Sequence, residues 1–361
     1  MHNCILGENR MTLFTSAPAS ICVLRLSAIG DCCHAIALIQ KIQQHWPETK
    51  ITWVIGKIEA QLIGAIPNLG EVELIIFDKK EGRRAYKKLK SELEGRSFDV
   101  LLHLQANFRA NLVSRCISSK NRIGFGFKRA RELQWLFTNI KAPISGEHVA
   151  EGFMDFATAL GLPPSKPNWN IDIPQELLNW AKQYKDGRPL LVLCPAASKA
   201  ERNWTTEGYA AVINHAHHRA VKVILIGSPA PMEVELAKNI SLMTSLLDEN
   251  LVGKTSLAQL LALIKTADIV VAPDTGPAHM ATIVGTPVLG LYAAQSPART
   301  GPYLYKDQAV SVYDEALFAE TGKTAEQVPW RTRVKDKNAM ARIKTDTVIK
   351  RLDAMLDATK K

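Results

Sequence analysis

The chain has 361 residues, which at roughly 100–200 residues per domain suggests two or three domains. Its composition, 47% hydrophobic and 22% charged, is typical of a soluble globular protein and excludes a disordered chain, a collagen-like fibre and a coiled coil. The formal net charge of +10 indicates an anionic partner, namely a phosphorylated lipid, a membrane surface or a nucleic acid.

Cysteine usage and the N-terminal segment indicate the compartment. The six cysteines contain no C-x-x-C pair and no regular framework, as is typical of reduced thiols in a cytosolic protein. No basic segment followed by an apolar segment opens the chain, so no signal peptide is predicted. We therefore expect a cytoplasmic protein, whose translation starts at Met1 or Met11 because the first predicted strand begins only near Ile21.

Strand-like and helix-like patterns alternate through the first half. The predicted strands are Ile21–Leu26, Ile51–Ile55, Val72–Phe77 and Phe98–Leu104, and the predicted helices are Cys32–His45, Ile58–Ile66, Arg83–Glu94 and Glu147–Leu160. Such alternation is typical of βαβ units with a parallel sheet. A stretch rich in proline and polar residues then runs from Gly161 to about Pro189 and predicts a linker.

The alternation restarts after this linker. The predicted strands are Leu190–Cys194, Val221–Ile226, Asp268–Val271 and Val288–Tyr292, and the predicted helices are Thr206–His218, Ala230–Ile240, Ser256–Ala267, Ala278–Val284 and Asp346–Leu356.

The fold class is therefore α/β, with two Rossmann-like domains whose parallel sheets face a central cleft. We place an N-terminal domain at residues 1–170, ordered from about 20, a linker at 171–188 and a C-terminal domain at 189–335. A helix within 336–361 ends the chain, with the N-terminal domain as the candidate surface on which it packs. Ligands of such sheets lie at the carboxyl ends of the strands.

Basic residues concentrate in the first half, where residues 1–170 carry 22 Lys and Arg against 15 Asp and Glu. Lys79–Lys90 contains seven basic residues and one acid, and Val100–Arg131 contains seven basic residues and no acid. This pattern favours an anion-binding surface. For Lys79–Lys90, a solvated helix face explains the charges equally well.

The first candidate site is the turn Ser27–Asp31, between the first strand and the first helix. Gly30 permits a tight turn, and Asp31 then projects into the cleft as a possible general base. Aspartate is also a favoured helix N-cap, which explains its place here at least as well. No G-x-G-x-x-G is present, so a dinucleotide-binding fingerprint is not supported.

The second candidate is the segment Asp274–His279, directly after a predicted strand. Thr275 can cap the next helix, and Pro277 fits its first turn. The backbone N–H groups of Thr275 and Gly276 then form an anion site, for which a diphosphate is the natural ligand. His279 lies about one turn into the helix near the ligand, although a lone histidine is more often structural.

Two further loops follow strands of the second half. Ser198, Lys199 and Arg202 offer hydroxyl and cationic donors for phosphate. The loop that begins at Gly227 can receive a nucleoside, with Glu233 accepting hydrogen bonds from the ribose. The three loops together predict one anionic, nucleotide-like ligand.

Taken together, these elements resemble glycosyltransferase family 9, the ADP-heptose:lipopolysaccharide heptosyltransferase family. The resemblance rests on Leu24–Asp31, Arg202–Trp204, Asp274–Tyr292 and Thr300–Tyr303, and it extends over about residues 20–355. It implies a GT-B fold that binds the acceptor in its N-terminal half and the nucleotide sugar in its C-terminal half. It also implies inverting transfer of heptose from ADP-heptose to the inner core of lipopolysaccharide, onto Kdo or heptose, without an essential metal or other cofactor.

The resemblance also assigns roles to individual residues. The catalytic base falls on Asp31, and the diphosphate-binding motif falls on Asp274, Thr275 and Gly276. Arg202 stands where the family usually has lysine, which keeps the charge but changes its geometry. The acid that binds the ribose falls on Glu233, with Glu235 as an alternative.

The basic half would contact an anionic acceptor on the cytoplasmic face of the inner membrane, where the protein would be peripheral. The acceptor-binding candidates are Arg25, Gly30, Arg109, Arg129 and Arg131.

Three other functions stay open. One is a GT-B glycosyltransferase or an epimerase that uses another nucleotide sugar. An epimerase would convert its UDP-sugar without any acceptor, which distinguishes it from a transferase. Another is a sugar-phosphate binding module without catalysis. The third, nucleic-acid binding, lacks a helix-turn-helix, zinc-finger or RNA-recognition signature, so no nucleic-acid partner is expected.

Overall fold

Short strands alternate with helices from Ser20 to Ala358 in the computed structural model, which describes residues 13–359. Both candidate translation starts, Met1 and Met11, lie outside the described residues. The first domain contains a six-stranded sheet of β1 (Ser20–Leu24), β2 (Lys50–Gly56), β3 (Glu73–Phe77), β4 (Phe98–His103), β5 (Ser119–Gly124) and β6 (Ile140–Lys141). All pairs are parallel, in the order β3-β2-β1-β4-β5-β6.

Helices cover both faces of this sheet, and its central strands are therefore near-continuous aliphatic runs. The helices are α1 (Ile29–His45), α2 (Lys57–Ile63), α3 (Arg83–Glu92), α4 (Phe108–Ser114) and α5 (Val149–Leu160). The hydrophobic core on the α1 side continues into the second domain.

The second domain repeats the design with β7 (Leu190–Leu193), β8 (Lys222–Leu225), β9 (Glu249–Asn250), β10 (Ile269–Pro273), β11 (Val288–Tyr292) and β12 (Val310–Ser311). These strands are also parallel, in the order β12-β11-β10-β7-β8-β9. Its helices are α7 (Thr206–His218), α8 (Pro231–Met243), α9 (Leu257–Thr266), α10 (Gly276–Val284), α11 (Pro297–Thr300), α12 (Tyr313–Thr321) and α13 (Thr345–Ala358), and α6 (Gln175–Lys182) precedes them in the linker.

The two sheets have the same strand order, 3-2-1-4-5-6, when each is numbered from its own first strand. In this order the winding reverses between the first and fourth strands, and ligands bind outside their carboxyl ends. The segments that follow β1, β4, β7 and β10 carry Asp31 in the first turn of α1, Arg109 in the first turn of α4, Arg202 in a short 3₁₀ turn and Asp274 in a loop. The prediction of an α/β chain with two parallel, Rossmann-like sheets is confirmed.

The linker is more structured than the sequence predicts. Trp169 donates a hydrogen bond from Nε1 to the carbonyl oxygen of Cys33 at 3.0 Å, so the chain leaves the first domain along α1. The linker then forms α6, which packs against α9 of the second domain. This helix has only eight residues and lies within a stretch rich in proline and polar residues, which in the sequence indicates a linker.

The C-terminal helix α13 packs on the second domain, and the suggestion that it packs back on the N-terminal domain is wrong. Its buried face of Val348, Leu352, Met355 and Leu356 joins the core of the second domain. Asp353 accepts a hydrogen bond from His215 of α7 at 2.9 Å. The sequence shows the apolar face of this helix but contains no signal for the domain that covers it.

No helix among residues 13–359 is both long enough and apolar enough to cross a membrane.

Candidate active site

The turn after β1 places Asp31 in the first turn of α1, with its side chain 32% exposed. Arg25 forms an ion pair with it through Nη2. The same guanidinium donates from Nη1 to the carbonyl oxygen of Leu104 at 2.6 Å and lies 5.5 Å from the centre of the Phe153 ring. The sequence predicts Arg25 as an acceptor contact, but in this arrangement it holds the Asp31 carboxylate in place.

Asp274, directly after β10, is a second acid, more deeply placed than Asp31 and with several partners. Arg202 Nη1 lies 3.4 Å from its Oδ2, and His279 Nε2 lies 3.7 Å from its Oδ1. Gln295 donates to the same carboxylate and accepts from Arg299. Burial acts to raise the pKa of Asp274, but the interactions with His279, Arg202 and Arg299 outweigh it and lower the pKa below its ordinary value.

The start of α10 exposes hydrogen-bond donors beside this acid. The helix begins at Gly276, with Thr275 as N-cap and Pro277 in the first turn. Within the described structure the Thr275 side chain makes no capping hydrogen bond, contrary to the cap that the sequence suggests. The Thr275 hydroxyl and the backbone N–H groups of Thr275 and Gly276 are therefore available to bind an anion, whereas the Ala278 N–H donates to the Thr275 carbonyl oxygen at 3.2 Å.

Gly30 brings the two acids into one site. A Cβ atom on Gly30 would lie 2.2 Å from Cδ2 of His279, so only glycine permits this approach. On Gly276, a Cβ would lie 3.3 Å from Cγ2 of Ile29. The first turn of α1 is thus packed directly against the start of α10, and the cleft between the domains narrows at Asp31 and Asp274.

Three histidines line the interface behind this contact. The ring of His34 lies 4.7 Å from that of His279 and 5.3 Å from that of His148. His148 Nδ1 accepts from the Ala150 N–H at 3.1 Å, so its Nε2 is the donor to the Gly301 carbonyl oxygen at 2.9 Å. Burial lowers the pKa of His148 to about 3 and that of His34 well below its usual range.

The remaining donor-site candidates lie on the loops after β7 and β8 and in the first turn of α8. Ser198 and Lys199 are exposed, with Lys199 Nζ 3.8 Å from Glu201. Glu233 folds over Gly227 and accepts from Ser228 N at 2.7 Å and from Ser228 Oγ at 2.6 Å. A ribose hydroxyl at Glu233 would have to replace or share the Ser228 hydroxyl.

The three arginines predicted beyond β4 have different environments. Arg109 and Arg131 are exposed, whereas Arg129 is only 4% exposed. Arg129 Nη1 lies 3.4 Å from the Asp155 carboxylate, and its guanidinium stacks on Trp330 at 4.7 Å. Arg129 therefore connects parts of the fold and does not face an open acceptor site.

Several cleft residues lie outside the motifs found in the sequence, and each follows β11 in the chain. Burial, together with the charges of Arg131 and Arg299, lowers the pKa of Arg331 to about 10. Burial also lowers the pKa of Arg333, as do the charges of Arg202 and Arg131. Mutual repulsion among these cations marks a strongly positive cleft. The alternating arginines after Trp330 were the available sequence signal, but no predicted element contains them.

No group of three or more His, Cys, Asp and Glu side chains in the described range 13–359 is arranged to hold a metal ion.

Comparisons with known proteins agree with this arrangement. The sequence profile of glycosyltransferase family 9 (heptosyltransferase) matches residues 86–330. The lipopolysaccharide core heptosyltransferase OpsX of Haemophilus influenzae is 47% identical over 342 residues, which cover 94% of this chain and 97% of that protein.

Two solved structures share the fold. A family 9 glycosyltransferase from Veillonella parvula superimposes with a TM-score of 0.78 at 20% identity, over 94% of this chain and 98% of that one. The ADP-heptose lipopolysaccharide heptosyltransferase II of Escherichia coli superimposes with a TM-score of 0.70 at 21% identity, over 95% of this chain and 100% of that one. The expected GT-B fold is thus confirmed. The profile match and the relative at 47% identity show that the chain belongs to glycosyltransferase family 9, the heptosyltransferase family.

Proposed function

We propose that this chain transfers a heptose from ADP-heptose to the inner core of lipopolysaccharide, onto Kdo or a previous heptose, with inversion and without an essential metal. The observation that carries the proposal is the contact of Gly30 with His279, which brings Asp31 and the Asp274 motif to opposite sides of one cation-lined cleft. The proposed acceptor follows the name of the H. influenzae relative, a lipopolysaccharide core heptosyltransferase. The proposed donor follows the name of the E. coli structure, an ADP-heptose lipopolysaccharide heptosyltransferase.

Asp31 acts as the general base in this proposal. The acceptor hydroxyl oxygen forms a bond to C1 of the heptose while the bond from C1 to the β-phosphate oxygen breaks on the opposite face. The hydroxyl proton passes to the Asp31 carboxylate, and ADP leaves with the electron pair. Arg25, anchored on the Leu104 carbonyl, orients that carboxylate toward the cleft.

The leaving ADP gains negative charge on its β-phosphate, and the second domain supplies the opposite charge. Arg202 and the free N–H groups at the start of α10 would bind this phosphate, with Thr275, Ser198 and Lys199 as further donors. Groups that bind the developing charge favour the transition state over the ground state. Gly227, on the loop after β8, and Glu233, in the first turn of α8, would hold the ribose.

The acceptor lies on the side of the first domain. Its acidic sugars require cations, and Arg131 is exposed in the segment that follows β5, as Arg109 is in the first turn of α4. Arg331 adds a cation from the second domain, since its charge interacts with Arg131 and Asp31. We place the protein at the cytoplasmic face of the inner membrane as a peripheral protein.

The test is transfer of heptose from ADP-heptose to heptose-free Kdo₂–lipid A, with the lipid product measured by mass spectrometry. Asp31→Asn keeps the size of the side chain and an oxygen that can accept a hydrogen bond from Arg25, but it removes the negative charge and the basic carboxylate. A positioned base contributes ~10²–10⁴-fold, so turnover of D31N should fall by about that factor while ADP still raises the melting temperature.

Asp186→Asn is the matched control, because Asp186 pairs with Arg188 on the outside of the second domain. This variant should transfer heptose as the wild type does. Full turnover by D31N would remove Asp31 as the base. If the wild type transfers no heptose but ADP still raises its melting temperature, another acceptor is indicated. If ADP does not change the melting temperature, the proposed donor is contradicted.

A further inference from the structure

The first domain has a group of large apolar side chains on its surface. We define the aromatic–basic face by six such residues, whose exposure ranges from 38% to 67%: Phe108, Leu112, Phe127, Leu133, Trp135 and Leu136. Two of them lie on α4 and four within residues 127–136, between β5 and β6. Exposed apolar groups clustered in this way mark a surface that contacts something other than water.

The segment 127–136 is firmly attached to the domain, so its apolar residues are held outward. The fully buried Gln134 donates from Nε2 to the His103 carbonyl oxygen at 2.8 Å and accepts from the Phe125 N–H at 3.3 Å. Asn111 of α4 donates from Nδ2 to the Glu132 carbonyl oxygen at 2.6 Å. With Gln134 pointing inward, the neighbouring Trp135 and Leu136 are left on the outside.

The backbone in the same segment has an unfavourable conformation. Glu132 and Leu133 have positive φ angles of 48° and 63°, in the left-handed region that non-glycine residues seldom occupy. Such strain persists where the surrounding structure enforces it and is concentrated at functional sites. Leu133 is 51% exposed, so neither core packing nor backbone preference accounts for a leucine at this position.

Basic side chains surround these apolar residues. Arg109, Lys128 and Arg131 are exposed within the same two segments. Lys141 Nζ lies 3.5 Å from the centre of the Phe127 ring. The nearby helix α3 adds exposed cations: Arg83, Arg84, Lys87, Lys88 and Lys90.

A surface cavity of about 470 Å³ lies between α3 and the apolar residues of α4. Tyr86 of α3 lines it together with Phe108, Arg109 and Leu112 of α4. The one acidic residue in its lining, Glu132, is engaged by the Phe108 N–H. Aromatic groups and cations are therefore continuous across this face.

We propose that the aromatic–basic face docks on an anionic phospholipid bilayer, with Phe127, Trp135 and Leu136 entering the interface and the surrounding cations on the lipid phosphates. The proposal rests on the proposed function, which requires a lipid-anchored acceptor, and it names the surface that meets the membrane. Aromatic side chains favour the boundary between headgroups and acyl chains, and clustered cations favour anionic leaflets.

Two features favour a lipid surface over a protein partner. The charge around the apolar residues is mainly positive, because α3, α4 and the segment 127–136 together expose eight basic residues against the two acids Glu92 and Glu132, as suits an extended anionic plane. The same segment also carries Arg131, whose charge interacts with Arg331 near Asp31. A membrane on this face would therefore present an anchored acceptor directly beside the cleft.

The experiment is sedimentation of the full chain with vesicles that contain no acceptor. Vesicles of phosphatidylethanolamine with phosphatidylglycerol are compared with vesicles of phosphatidylcholine alone, at low and high salt. We expect binding only to the anionic vesicles, and weaker binding at high salt. The double variant W135A/L136A should bind roughly tenfold more weakly, because two inserted apolar groups are lost.

The matched control is L242A/M243A, which removes the exposed apolar pair at the end of α8 in the second domain. That helix carries Glu233, Glu235 and Lys238 and no basic cluster, so this variant should bind as the wild type does. If W135A/L136A has a lowered melting temperature, F127S provides a second test, since Phe127 is the most exposed residue of the face.

Wild-type binding to neither vesicle, or equal binding by W135A/L136A, F127S and the wild type, would overturn the proposal and favour a protein partner. Transfer to a deacylated, water-soluble acceptor is measured in parallel. There W135A/L136A should equal the wild type, whereas transfer to the bilayer-embedded acceptor should fall. If neither protein transfers heptose to the soluble acceptor, the proposed function has failed, independently of the vesicle result.

Discussion

Gly30 and His279 show how a single missing side chain shapes the cleft. His279 fills the space where a Cβ of Gly30 would lie, and it also approaches Asp274 at 3.7 Å. One histidine thus contacts the backbone beside the proposed base and the acid of the opposite domain. In the sequence, only the position of Gly30 in a predicted turn indicates that a glycine is needed there.

Gly30→Ala should destabilise the protein and weaken heptose transfer, because the new methyl group would lie 2.2 Å from His279 Cδ2 and the domains must shift apart. Overpacking of this kind typically costs about 1–3 kcal/mol. The measurement is the free energy of unfolding of G30A, H279A and the double variant.

In the H279A background the ring is absent, so G30A should cost less there than in the wild type. An equal cost in both backgrounds would show that the glycine is required for its backbone conformation and not for the contact.

Several residue roles also depend on partners that the sequence does not identify. Arg25 pairs with Asp31, and Arg129 with Asp155, although both arginines were predicted to bind an acceptor. Positive charge in the sequence identifies candidates for an anion site. It does not separate a buried, paired guanidinium from a free one, because that depends on which carboxylate the fold brings near.

At the scale of elements, α13 is the clearest example of packing that the sequence left open. The helix was predicted at nearly its observed position, since Val348, Leu352 and Met355 recur at helical spacing. Its partner, α7, is more than a hundred residues away in the chain.

Leu352→Ala should lower the free energy of unfolding by about 2–5 kcal/mol, because Leu352 is fully buried in the second-domain core. Leu242→Ala is the control, since Leu242 is 76% exposed and its loss should change stability by less than about 0.5 kcal/mol. Chemical denaturation measures both. A small effect of L352A would mean that α13 is not part of the cooperative core.

The shortest elements were missed for a related reason. The strands β6, β9 and β12 have two residues each, and β5 is mostly polar, so none shows an apolar run. They are edge or near-edge strands whose conformation follows from pairing with a neighbour. The prediction of a parallel sheet holds without them, because the central strands are long aliphatic runs.

At the scale of the molecule, the interface between the domains contains buried neutral histidines. His34 has no hydrogen-bond partner for either ring nitrogen among the residues the structure describes, and it packs between His148 and His279. Burial lowers its pKa well below the ordinary value of 6.5, and the charges of His279 and His148 add to this. In the unfolded chain the same ring takes up a proton below about pH 6.5.

The protein should therefore lose stability as the pH falls below about 6.5, because the unfolded state then binds protons that the native state does not. Each such histidine contributes a slope of up to ~1.4 kcal/mol per pH unit. His34→Phe removes the titration without removing a described hydrogen bond, so the slope should become shallower.

The free energy of unfolding, measured from neutral pH to about pH 4, tests this expectation. The exposed His217 gives a matched control, and H217F should retain the wild-type slope. An unchanged slope in H34F would show that the pH dependence of stability comes from other groups. One such group is the buried His103, because burial lowers its pKa to about 3.

The sequence alone determined the fold class and the loops that carry the proposed chemistry. Strand periodicity, helix spacing and turn residues are local properties, and the motifs around Asp31, Arg202 and Asp274 follow strands that local pattern identifies. The family resemblance added the GT-B arrangement.

Only the tertiary structure decided which residues share the cleft. It brought Arg331 and Arg333 to the motifs, buried Arg129, paired Arg25 with Asp31 and placed α13 on the second domain. Apart from the pairing of Arg25 with Asp31, these outcomes join segments that are separated in the chain. Such contacts depend on how two sheets pack and how two domains meet, and neither periodicity nor charge in one segment contains that information.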